Sequence, residues 1–439
     1  INPLLKGDEI NHILSDSGAE SVIVHQTLAS QLCACLSECK PGMKIFQIQY
    51  EDTEQPVVSS GLKKIEVDST SLSRGSAAEL RTKKPGPADL AVLVYTSGTT
   101  GLPKGAMLTH ANLLAAITMK SSRMSVYPED CLLVVLPLCH IYGMVVVMLG
   151  TLIEGGSLAI MESFDSLKAL ACIEENKVTI LPAVPAMYQF MAMELGQNRF
   201  DLSSLKFGVV GGASIACELI ESVEKAFGCP IREGYAMTES ACVATLTPLN
   251  EGKARSGSVG PAIDGVEIAI LGEDLEPIGC GREKIGQVAV AGANVMKGYY
   301  NQPETSKEAF HGRFFLTGDL GWLDQDGYLY IVGRTKELII RGGQNIYPRE
   351  LELAILKMPG VADVAVVGVP DKFMGERVKA VIVKSADEPK NEITEDAVKS
   401  YCSKHLAQYK VPRLVEFRDS LPRNSTGKVL KRLLVEGKL

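Results

Sequence analysis

The first half of the chain alternates short apolar runs with stretches whose apolar residues recur every three or four positions. The apolar runs lie at 21–24, 44–48, 90–94, 132–136, 157–161, 178–183 and 205–210. Runs of this length predict buried strands, and the periodic stretches predict helices. Repeated strand–helix units indicate parallel sheet covered by helices. A helix is also predicted at 8–17, and the polar connector 51–87 is predicted to be largely surface loop.

The pattern changes after Arg255. Short apolar segments separated by Gly, Asp and Asn predict a small antiparallel β unit, with strands at 266–271, 287–291, 314–316 and 327–332. A compact α+β segment is predicted after Lys336. Its elements are a helix opened by Pro348, strands at 361–369 and 378–383, and a helix from Glu395.

These patterns together predict the α/β class. We expect a large N-terminal domain of parallel βα sheets with a small antiparallel β unit, followed by a small, mobile α+β C-terminal domain. The boundary is predicted at 334–337, which divides the chain into domains 1–335 and 336–439.

Composition narrows the class of protein. The chain has 439 residues, of which 46% are hydrophobic and 22% charged, and its net charge is −7. A chain of this length usually forms more than one hydrophobic core, so two or more domains are expected. The negative net charge gives no sign of the basic surface that binds nucleic acid. The 11 cysteines are scattered, and the tightest group, Cys33, Cys35 and Cys39, lacks a second ligand pair at zinc spacing. A reduced, cytoplasmic protein is predicted.

Residues 132–153 are apolar over a length that suffices to cross a bilayer. However, Pro137 and Gly143 interrupt the stretch, acidic Asp130 and Glu154 flank it, and no Lys or Arg stands beside it as the positive-inside rule requires. A buried strand, a turn and a buried helix are therefore predicted instead of a transmembrane span. Peripheral contact with a membrane is left open.

The candidate chemistry begins at residues 95–105, which have the sequence YTSGTTGLPKG. Its glycines let backbone N–H groups turn inward, its hydroxyl side chains donate hydrogen bonds, and Lys104 supplies a mobile positive charge. The loop is therefore predicted to bind nucleotide phosphates, in preference to being an ordinary surface turn. A Walker loop is excluded because Lys104 lies between Pro103 and Gly105, whereas that motif needs Gly-Lys followed by Ser or Thr.

This loop and residues 233–240, EGYAMTES, resemble the signatures of the adenylate-forming superfamily, which includes acyl-CoA synthetases, coumarate ligases, luciferases and the adenylation domains of peptide synthetases. Motifs in both predicted domains match. Within the superfamily the chain is most similar to medium- or long-chain fatty acid–CoA ligases. The resemblance implies an enzyme that uses ATP, Mg²⁺ and coenzyme A.

The resemblance also implies which residues bind the nucleotide. The implied phosphate contacts are Thr96, Ser97, Gly98, Thr99, Thr100 and Lys104. Tyr235 is implied to stack on adenine, Thr238 to meet the α-phosphate and Glu239 to bind Mg²⁺, which suits a flat ring and a hard carboxylate oxygen.

Further nucleotide contacts are implied on both sides of the predicted boundary. Ala213 and Gly234 are implied to lie beside the base, Asp319 to bind the ribose hydroxyls, and Arg334 to contact ribose or phosphate. Lys428, in the sequence LPRNSTGK, resembles the adenylation lysine, whose charge counters the charge that grows as a carboxylate attacks phosphorus. Lys428, Thr238 and Glu239 are thus the implied catalytic residues.

The resemblance assigns the acyl pocket, the hinge and the CoA tunnel as well. His140, Tyr142 and Gly212 are implied to border the acyl chain, and Lys336 is implied to be the hinge about which the C-terminal domain rotates. Gly342 and Gly343 are implied to approach the pantetheine of CoA. The chain departs from many acyl-CoA ligases at 340, where an isoleucine stands in place of a lysine, so that lysine's role is not assigned here.

The predicted reaction is ATP-dependent joining of a carboxylate to CoA through an acyl-adenylate. The substrate is predicted to be a medium- or long-chain fatty acid, and an aryl acid stays an alternative. Three other functions stay open: transfer of the acyl group to a carrier-protein thiol, a luciferase-like oxygenase, and a nucleotide- or acyl-binding protein without turnover. The complete set of lysine, glutamate and aspartate argues against the last. Members of the family carry several tens of residues before the helix at Asp8, so we expect the first part of the large domain to be missing.

Overall fold

The computed structural model of the chain describes residues 1–3, 5–29, 32, 43–49, 63–68, 84–96, 103–213, 215, 217–250, 255–385, 393–423 and 428–435. These residues form four sheets and one two-stranded hairpin. The strands of the first half are β1 Ser21–His25, β2 Lys44–Gln49, β3 Lys63–Asp68, β4 Leu90–Thr96, β5 Lys104–Thr109, β6 Cys131–Val134, β7 Ser157–Ile160, β8 Ile180–Ala183, β9 Phe207–Val210, β10 Ile231–Tyr235 and β11 Thr245–Leu246.

The remaining strands and the helices continue in chain order. The strands are β12 Glu267–Leu271, β13 Gly286–Ala291, β14 Phe310–His311, β15 Phe314–Leu323, β16 Leu329–Arg334, β17 Ile339–Arg341, β18 Gln344–Ile346, β19 Val361–Asp371, β20 Gly375–Lys384 and β21 Leu414–Arg418. The α-helices are Gly7–Asp16, His110–Ser121, Gly150–Ile153, Ser166–Asn176, Pro185–Leu195, Cys217–Phe227, Pro303–Glu308, Pro348–Leu356, Glu395–His405 and Arg432–Val435.

The N-terminal helix Gly7–Asp16 covers the parallel sheet β1–β2–β3. Ile10 and Leu14 are buried on one face of this helix and pack with Val24 and Ile45 of the sheet, as the helical spacing predicts. Strand β3 lies inside the connector predicted to be largely surface loop, so that prediction is wrong for 63–68. These residues pair with β2 in parallel register along its whole length.

The segment that carries the three closely spaced cysteines, at 33–39, lies outside the described residues. The rest of the connector, apart from β3 and residues 84–87, also lies outside them.

Strands β4 and β5 form an antiparallel hairpin rather than a strand and a loop. Of the residues of β4, only Val94 is buried. The prediction of a buried strand before the phosphate loop is therefore wrong in detail. The helix after the hairpin begins with Thr109 as its N-cap. Thr109 accepts a hydrogen bond from the backbone N–H of Asn112 at 3.2 Å, and the Asn112 side chain accepts one from the backbone N–H of Thr109 at 3.0 Å.

The central sheet has the strand order β11-β10-β9-β8-β6-β7. Its strands pair in parallel except for β11, which runs antiparallel to β10. Every residue of β8 and β9 is buried, as expected for a parallel sheet with helices on both faces. The carboxyl ends of β9 and β10 lead directly into Gly211 and Ala236, at the edge where ligands of open α/β sheets bind.

The apolar stretch 132–153 contains most of strand β6, a π-helix at Tyr142–Leu149 and the one-turn helix Gly150–Ile153, which agrees with the predicted strand, turn and helix. Within the described ranges, none of the helices has both the length and the apolar character that crossing a bilayer demands.

The predicted antiparallel unit is present as the sheet β12-β13-β15-β14, with β16 paired to β15. Strand β15 is longer than predicted and extends to Leu323, so Asp319 lies within it. The pairing of β15 with β16 places Asp319 directly opposite Arg334.

The C-terminal unit is built on the sheet β18-β17-β20-β19, with β21 added parallel to β20. Strands β19 and β20 and the two longer helices confirm the predicted elements, whereas β17, β18 and β21 were not predicted. A single 3₁₀ turn, Thr335–Glu337, connects β16 to β17. Division of the chain into domains at this turn stays a prediction.

Candidate active site

A cavity of about 1190 Å³ is lined by the ends of β9 and β10, by strands β15 and β16, by the N-terminal helix and β1, and by Lys428 of the C-terminal unit. It brings together most of the residues that the sequence motifs single out. The motif residues on its wall are Thr96, Lys104, His140, Tyr142, Gly212, Gly234, Tyr235, Thr238, Glu239, Asp319, Arg334, Lys336 and Lys428.

Some predicted site residues are placed elsewhere. Ala213, Gly342 and Gly343 are described but do not line this cavity. Both of the latter glycines have positive φ angles, +58° and +79°, in the tight turn between β17 and β18. Ser97, Gly98, Thr99 and Thr100, which form the centre of the predicted phosphate loop, lie outside the described residues.

The Asp319 carboxylate is held by two partners. Arg334 Nε lies 2.8 Å from Asp319 Oδ1, and the Tyr235 hydroxyl donates a hydrogen bond of 2.6 Å to Asp319 Oδ2. Burial and the neighbouring carboxylate raise the pKa of Tyr235, so its hydroxyl keeps its proton. The carboxylate thereby joins the antiparallel sheet to the end of β10, and it fixes the orientation of the ring predicted to meet adenine.

Glu239 lies in the 3₁₀ turn Thr238–Ser240, which follows β10. Two non-glycine residues with positive φ, Ala241 at 49° and Cys242 at 63°, turn the chain sharply after it. The side chain of Asn294, which comes from a distant segment of the chain, stabilises this turn. Its Nδ2 donates hydrogen bonds to the Ser240 carbonyl at 2.8 Å and to the Val243 carbonyl at 2.6 Å. The strained turn therefore presents Glu239 from a fixed backbone.

Tyr299 connects Glu239 to Lys104. Its hydroxyl donates a hydrogen bond of 2.8 Å to Glu239 Oε1, and Lys104 Nζ lies 5.4 Å from the centre of its ring. Burial and Glu239 raise the pKa of the Tyr299 hydroxyl. Lys104 opens β5 opposite Thr96 of β4, so the hairpin closes the base of the phosphate loop and holds both residues at the cavity.

Tyr142 and the glycine loop after β9 form a second part of the wall. The Tyr142 hydroxyl donates a hydrogen bond of 3.0 Å to the Val209 carbonyl, and the residue is 6% exposed. A Cβ atom at Gly211 would lie 3.4 Å from the Tyr142 ring, which is van der Waals contact, so the ring lies directly beside this residue. Burial lowers the pKa of His140, which favours a neutral imidazole at neutral pH.

The cavity continues from Tyr142 into an apolar region. Side chains from the π-helix, from the turn after β10 and from two neighbouring loops line it, namely Met124, Met144, Val146, Cys242 and Ile263. Lys120, which is 2% exposed, also borders this region, but its ammonium forms an ion pair of 2.5 Å with Glu154. Because Glu154 balances the charge of Lys120, this part of the cavity can hold a hydrocarbon chain.

Lys428 reaches the cavity from the C-terminal unit and shares its wall with Asp319 and Arg334. Burial lowers the pKa of Lys428, and the positive charge of Arg334 lowers it further, while Asp319 and Glu337 oppose the shift. The site therefore gathers three cationic side chains, Lys104, Arg334 and Lys428, around one polar space, an arrangement that suits an anionic ligand such as a polyphosphate.

Sequence reasoning missed Tyr299 and Asn294. Each is one polar residue in a glycine-rich segment, AGANVMKGYYNQPE at 291–304, and no spacing in the sequence connects either residue to Glu239. Their role depends on the packing of that segment against the turn after β10, where Met296 N–H donates to the Glu239 carbonyl at 2.7 Å.

Comparison with known sequences agrees with this arrangement. The pattern of the AMP-binding enzyme family matches residues 1–300, and that of the AMP-binding enzyme C-terminal domain matches residues 350–428. The chain belongs to the AMP-binding enzyme family. It is an adenylate-forming acyl-CoA ligase, a class of acid–thiol ligases that use ATP, Mg²⁺ and CoA.

Two relatives of this ligase illustrate the range of its family. The long-chain-fatty-acid–CoA ligase FadD13 of Mycobacterium tuberculosis is 35% identical over 437 residues, covering 99% of this chain and 82% of FadD13. A feruloyl-CoA synthase of Amycolatopsis sp. is also 35% identical, over 428 residues, covering 96% of this chain and 80% of the synthase.

Among solved structures, the ligase resembles ATP-bound MatB from Rhodopseudomonas palustris with a TM-score of 0.85 at 32% identity. The same protein without ligand gives a TM-score of 0.73. Both comparisons cover 100% of this chain and 82% of MatB, so the difference in score reflects conformation. The ligase is thus closer in conformation to the ATP-bound form.

The residues present fit Mg²⁺. Within the described ranges no group of three or more His, Cys, Asp or Glu side chains is placed to hold a metal ion. Mg²⁺ commonly binds to enzymes through one or two carboxylates together with the phosphates of a nucleotide, and Glu239 offers one such carboxylate beside the phosphate-loop lysine. The donor set is therefore that of a metal carried in with ATP.

Replacement of Tyr299 by Phe removes the hydroxyl that orients Glu239. If Glu239 binds Mg²⁺ as the family resemblance implies, the Mg²⁺ concentration for half-maximal ATP–pyrophosphate exchange should rise about tenfold, since loss of a partner of a metal ligand usually weakens metal binding by this order. Tyr300→Phe is the matched control and should leave the Mg²⁺ dependence unchanged. An unaltered Mg²⁺ dependence in Tyr299→Phe would contradict the assignment.

Glu233, at the start of the second signature, is a buried carboxyl with 6% exposure. Burial raises its pKa to about 8, although an N–H of Ile215 and the charge of Arg349 act in the opposite direction. The folded state therefore keeps this proton between about pH 4.5 and 8, while the unfolded state loses it. The stability that Glu233 contributes is complete below pH 4.5 and is lost as the pH rises to 8.

Glu233→Gln removes this titration but keeps an acceptor oxygen. Relative to wild type, the free energy of unfolding of the variant should therefore rise by about 2–3 kcal/mol between pH 5.5 and pH 8, as measured by urea unfolding. The exposed Glu162→Gln serves as control and should show no such trend. A difference that does not change with pH would show that Glu233 is ionised in the folded protein.

Proposed function

We propose that this ligase activates a medium- or long-chain fatty acid. A carboxylate oxygen of the acid attacks the α-phosphorus of ATP, the bond from that phosphorus to the bridging oxygen breaks, and pyrophosphate leaves. The thiol of CoA then attacks the carbonyl carbon of the acyl-adenylate, the bond to the adenylate oxygen breaks, and AMP leaves while the thiol proton passes to solvent. The products are acyl-CoA, AMP and pyrophosphate.

The continuity of one cavity supports this substrate. Its lining is of two kinds: polar at Asp319, Arg334 and Lys428, and apolar at Met144 and Val146, which lie in the same helix as Tyr142. A fatty acid has the same two-ended chemistry, because the carboxylate seeks cations and the alkyl chain gains free energy when it leaves water, at about 25 cal/mol per Å² of buried surface. This match is the observation on which the proposal rests, and the resemblance to a long-chain-fatty-acid–CoA ligase agrees with it.

For the first step we propose that the cationic side chains stabilise the negative charge that grows on the phosphates and the attacking carboxylate. Lys104 and Thr96 would meet the terminal phosphates, Thr238 the α-phosphate, and Lys428 the attacking carboxylate together with the α-phosphate oxygens. Asp319 would bind the ribose hydroxyls while Arg334 keeps it ionised. Mg²⁺, which Glu239 would hold, neutralises phosphate charge when it is bound. Such fixed charges stabilise the transition state because they need no reorganisation during the reaction.

For the second step we propose that the unit from 336 onwards turns about Lys336 and withdraws Lys428. Gly342 and Gly343, which lie away from the cavity in the present arrangement, would then approach the pantetheine of CoA. The present arrangement would be the one for adenylation, which is consistent with Lys428 at the cavity wall and with the greater similarity to ATP-bound MatB. Domains 1–335 and 336–439 are the two bodies of this motion.

An aryl acid is the second candidate substrate, because a relative of equal identity is a feruloyl-CoA synthase. We place the reaction in the cytoplasm. In support, seven of the cysteines that fall within the described residues are free thiols. Peripheral membrane contact stays an open prediction on which the mechanism does not depend.

The direct test is pyrophosphate release from ATP and Mg²⁺ with carboxylic acids of rising chain length, plus benzoate and coumarate, each with and without CoA. We expect turnover with fatty acids of medium or long chain, sustained when CoA is present. Faster turnover with coumarate than with any fatty acid would favour the aryl candidate. Absence of release with every acid would overturn the proposal.

Replacement of Lys428 by Met should lower acyl-adenylate formation by about 10²–10³-fold, since a cation positioned on the transferring group is lost. Formation of acyl-CoA from supplied acyl-adenylate should change less than twofold, because Lys428 is withdrawn in that step. The exposed Lys404→Met is the matched control in the same unit. Equal loss of both half-reactions would show that Lys428 does not have this role.

A further inference from the structure

Lys431 joins three segments of the C-terminal unit. Its ammonium lies 3.0 Å from Glu337 Oε2 and 2.7 Å from Glu352 Oε1. The Lys431 side chain is 19% exposed, and burial alone would lower its pKa, but the two carboxylates outweigh burial and raise it. Lys431 is therefore a charged group held between two acidic side chains.

The two carboxylates belong to parts of the fold with different functions. Glu352 lies on the helix Pro348–Leu356, and its Oε1 also accepts a hydrogen bond of 2.9 Å from the Val366 backbone N–H, so it is anchored to β19. Glu337 ends the 3₁₀ turn after Arg334 and is adjacent to Lys336, the proposed hinge. One ion pair thus reaches the core of the unit and the other reaches the hinge.

Lys431 is three residues after Lys428, on the same short segment. The backbone N–H of Leu430 donates to the Pro422 carbonyl at 2.8 Å, and Val429 pairs with Arg423, so the segment after Lys428 is joined to residues 422–423. Leu434, next in the segment, is fully buried beside Val367 and Val369. Lys431 is the charged contact between this segment and the hinge.

We propose that Lys431 is a positioning residue for adenylation: its paired contacts with Glu337 and Glu352 hold the Lys428 segment against the hinge turn, so that Lys428 enters the cavity. The role rests on the function proposed for Lys428. It also explains why both carboxylates are tolerated close to the site.

Loss of Lys431 would change the electrostatic partners of Lys428. The charge of Glu337 already acts on Lys428. Without Lys431, Glu352 keeps its contact of 4.0 Å with Arg349, whereas Glu337 loses the cation at 3.0 Å, and Lys428 is the ammonium on which the Glu337 charge already acts. Lys428 then moves from the Asp319–Arg334 side of the cavity towards Glu337. Removing the Glu337 charge in the same variant removes the competing partner and returns part of the function.

The experiment measures both half-reactions in full-length variants. Lys431→Met should reduce ATP–pyrophosphate exchange at least tenfold and change acyl-CoA formation from supplied acyl-adenylate less than twofold. Lys431→Arg should retain exchange within threefold of wild type, and E337Q added to Lys431→Met should recover at least threefold. Lys410→Met is the matched control, because the Lys410 side chain is similarly buried and forms an ion pair of 2.6 Å with Glu350 in the same unit. It should leave exchange within twofold.

A second measurement does not need activity. The rate at which acetic anhydride modifies Lys428, monitored by mass spectrometry of the digested protein, should change at least threefold in Lys431→Met and stay unchanged in Lys410→Met. An unchanged rate together with unchanged exchange would overturn the role of Lys431. Equal loss of both half-reactions, with a lowered midpoint of thermal unfolding, would overturn it in favour of a purely structural role. If the wild-type protein were inactive with every acid, the proposed function would be refuted instead. The rate of Lys428 modification would still show whether Lys431 positions Lys428.

Discussion

The contact between Asp319 and Arg334 is the interaction on which the site depends. It joins the paired strands β15 and β16 close to the end of β16. The Asp319 carboxylate also accepts a hydrogen bond from the hydroxyl of Tyr235, at the end of β10 in the central sheet. Two sheets, the antiparallel sheet of β15 and β16 and the central sheet, therefore meet at one charged group. Because Asp319 is 5% exposed, its charge would be costly without both partners, and the pairing fixes how these parts are placed relative to one another.

The remaining charges of the site are arranged around this pair. Lys104 comes from a hairpin, Glu239 from a strained turn and Lys428 from the C-terminal unit, and each is supported by a neighbour that does not itself face the same ligand position. Tyr299 orients Glu239, and the Lys431 contacts orient the Lys428 segment. The cavity thus brings cations from different parts of the fold to one wall, and the charge of Arg334 acts on Lys428 there.

Linear motifs allowed the sequence to predict many residues of the cavity wall, since Lys104, Tyr235, Glu239 and Asp319 each lie in a short motif and all line the cavity. The strand–helix alternation likewise predicted the central sheet. Pairing partners were less predictable. An apolar run fits a hairpin as well as a parallel strand, so β4 was assigned to the wrong sheet type, and β3 was missed within a polar connector.

Contacts between distant segments could not be predicted at all. Nothing local to Tyr299 indicates Glu239, and nothing local to Lys431 indicates Glu337 or Glu352, because these contacts exist through packing of whole elements. The π-helix at Tyr142–Leu149 is a further case, since apolar periodicity predicts a helix but does not distinguish one with wider turns.

That π-helix has a consequence for how the pocket can change. Its wide turns hold more residues than an α-helix of the same length, so deletion of a single residue between Tyr142 and Leu149 could be absorbed by a return to α-helical geometry. The lost residue would offset the narrower α-helical turns, so both flanking strands would stay in register while side chains within the helix changed direction. Met144 and Val146 would then present different faces to the cavity. A single short genetic event could in this way alter the acyl preference without disturbing the nucleotide site.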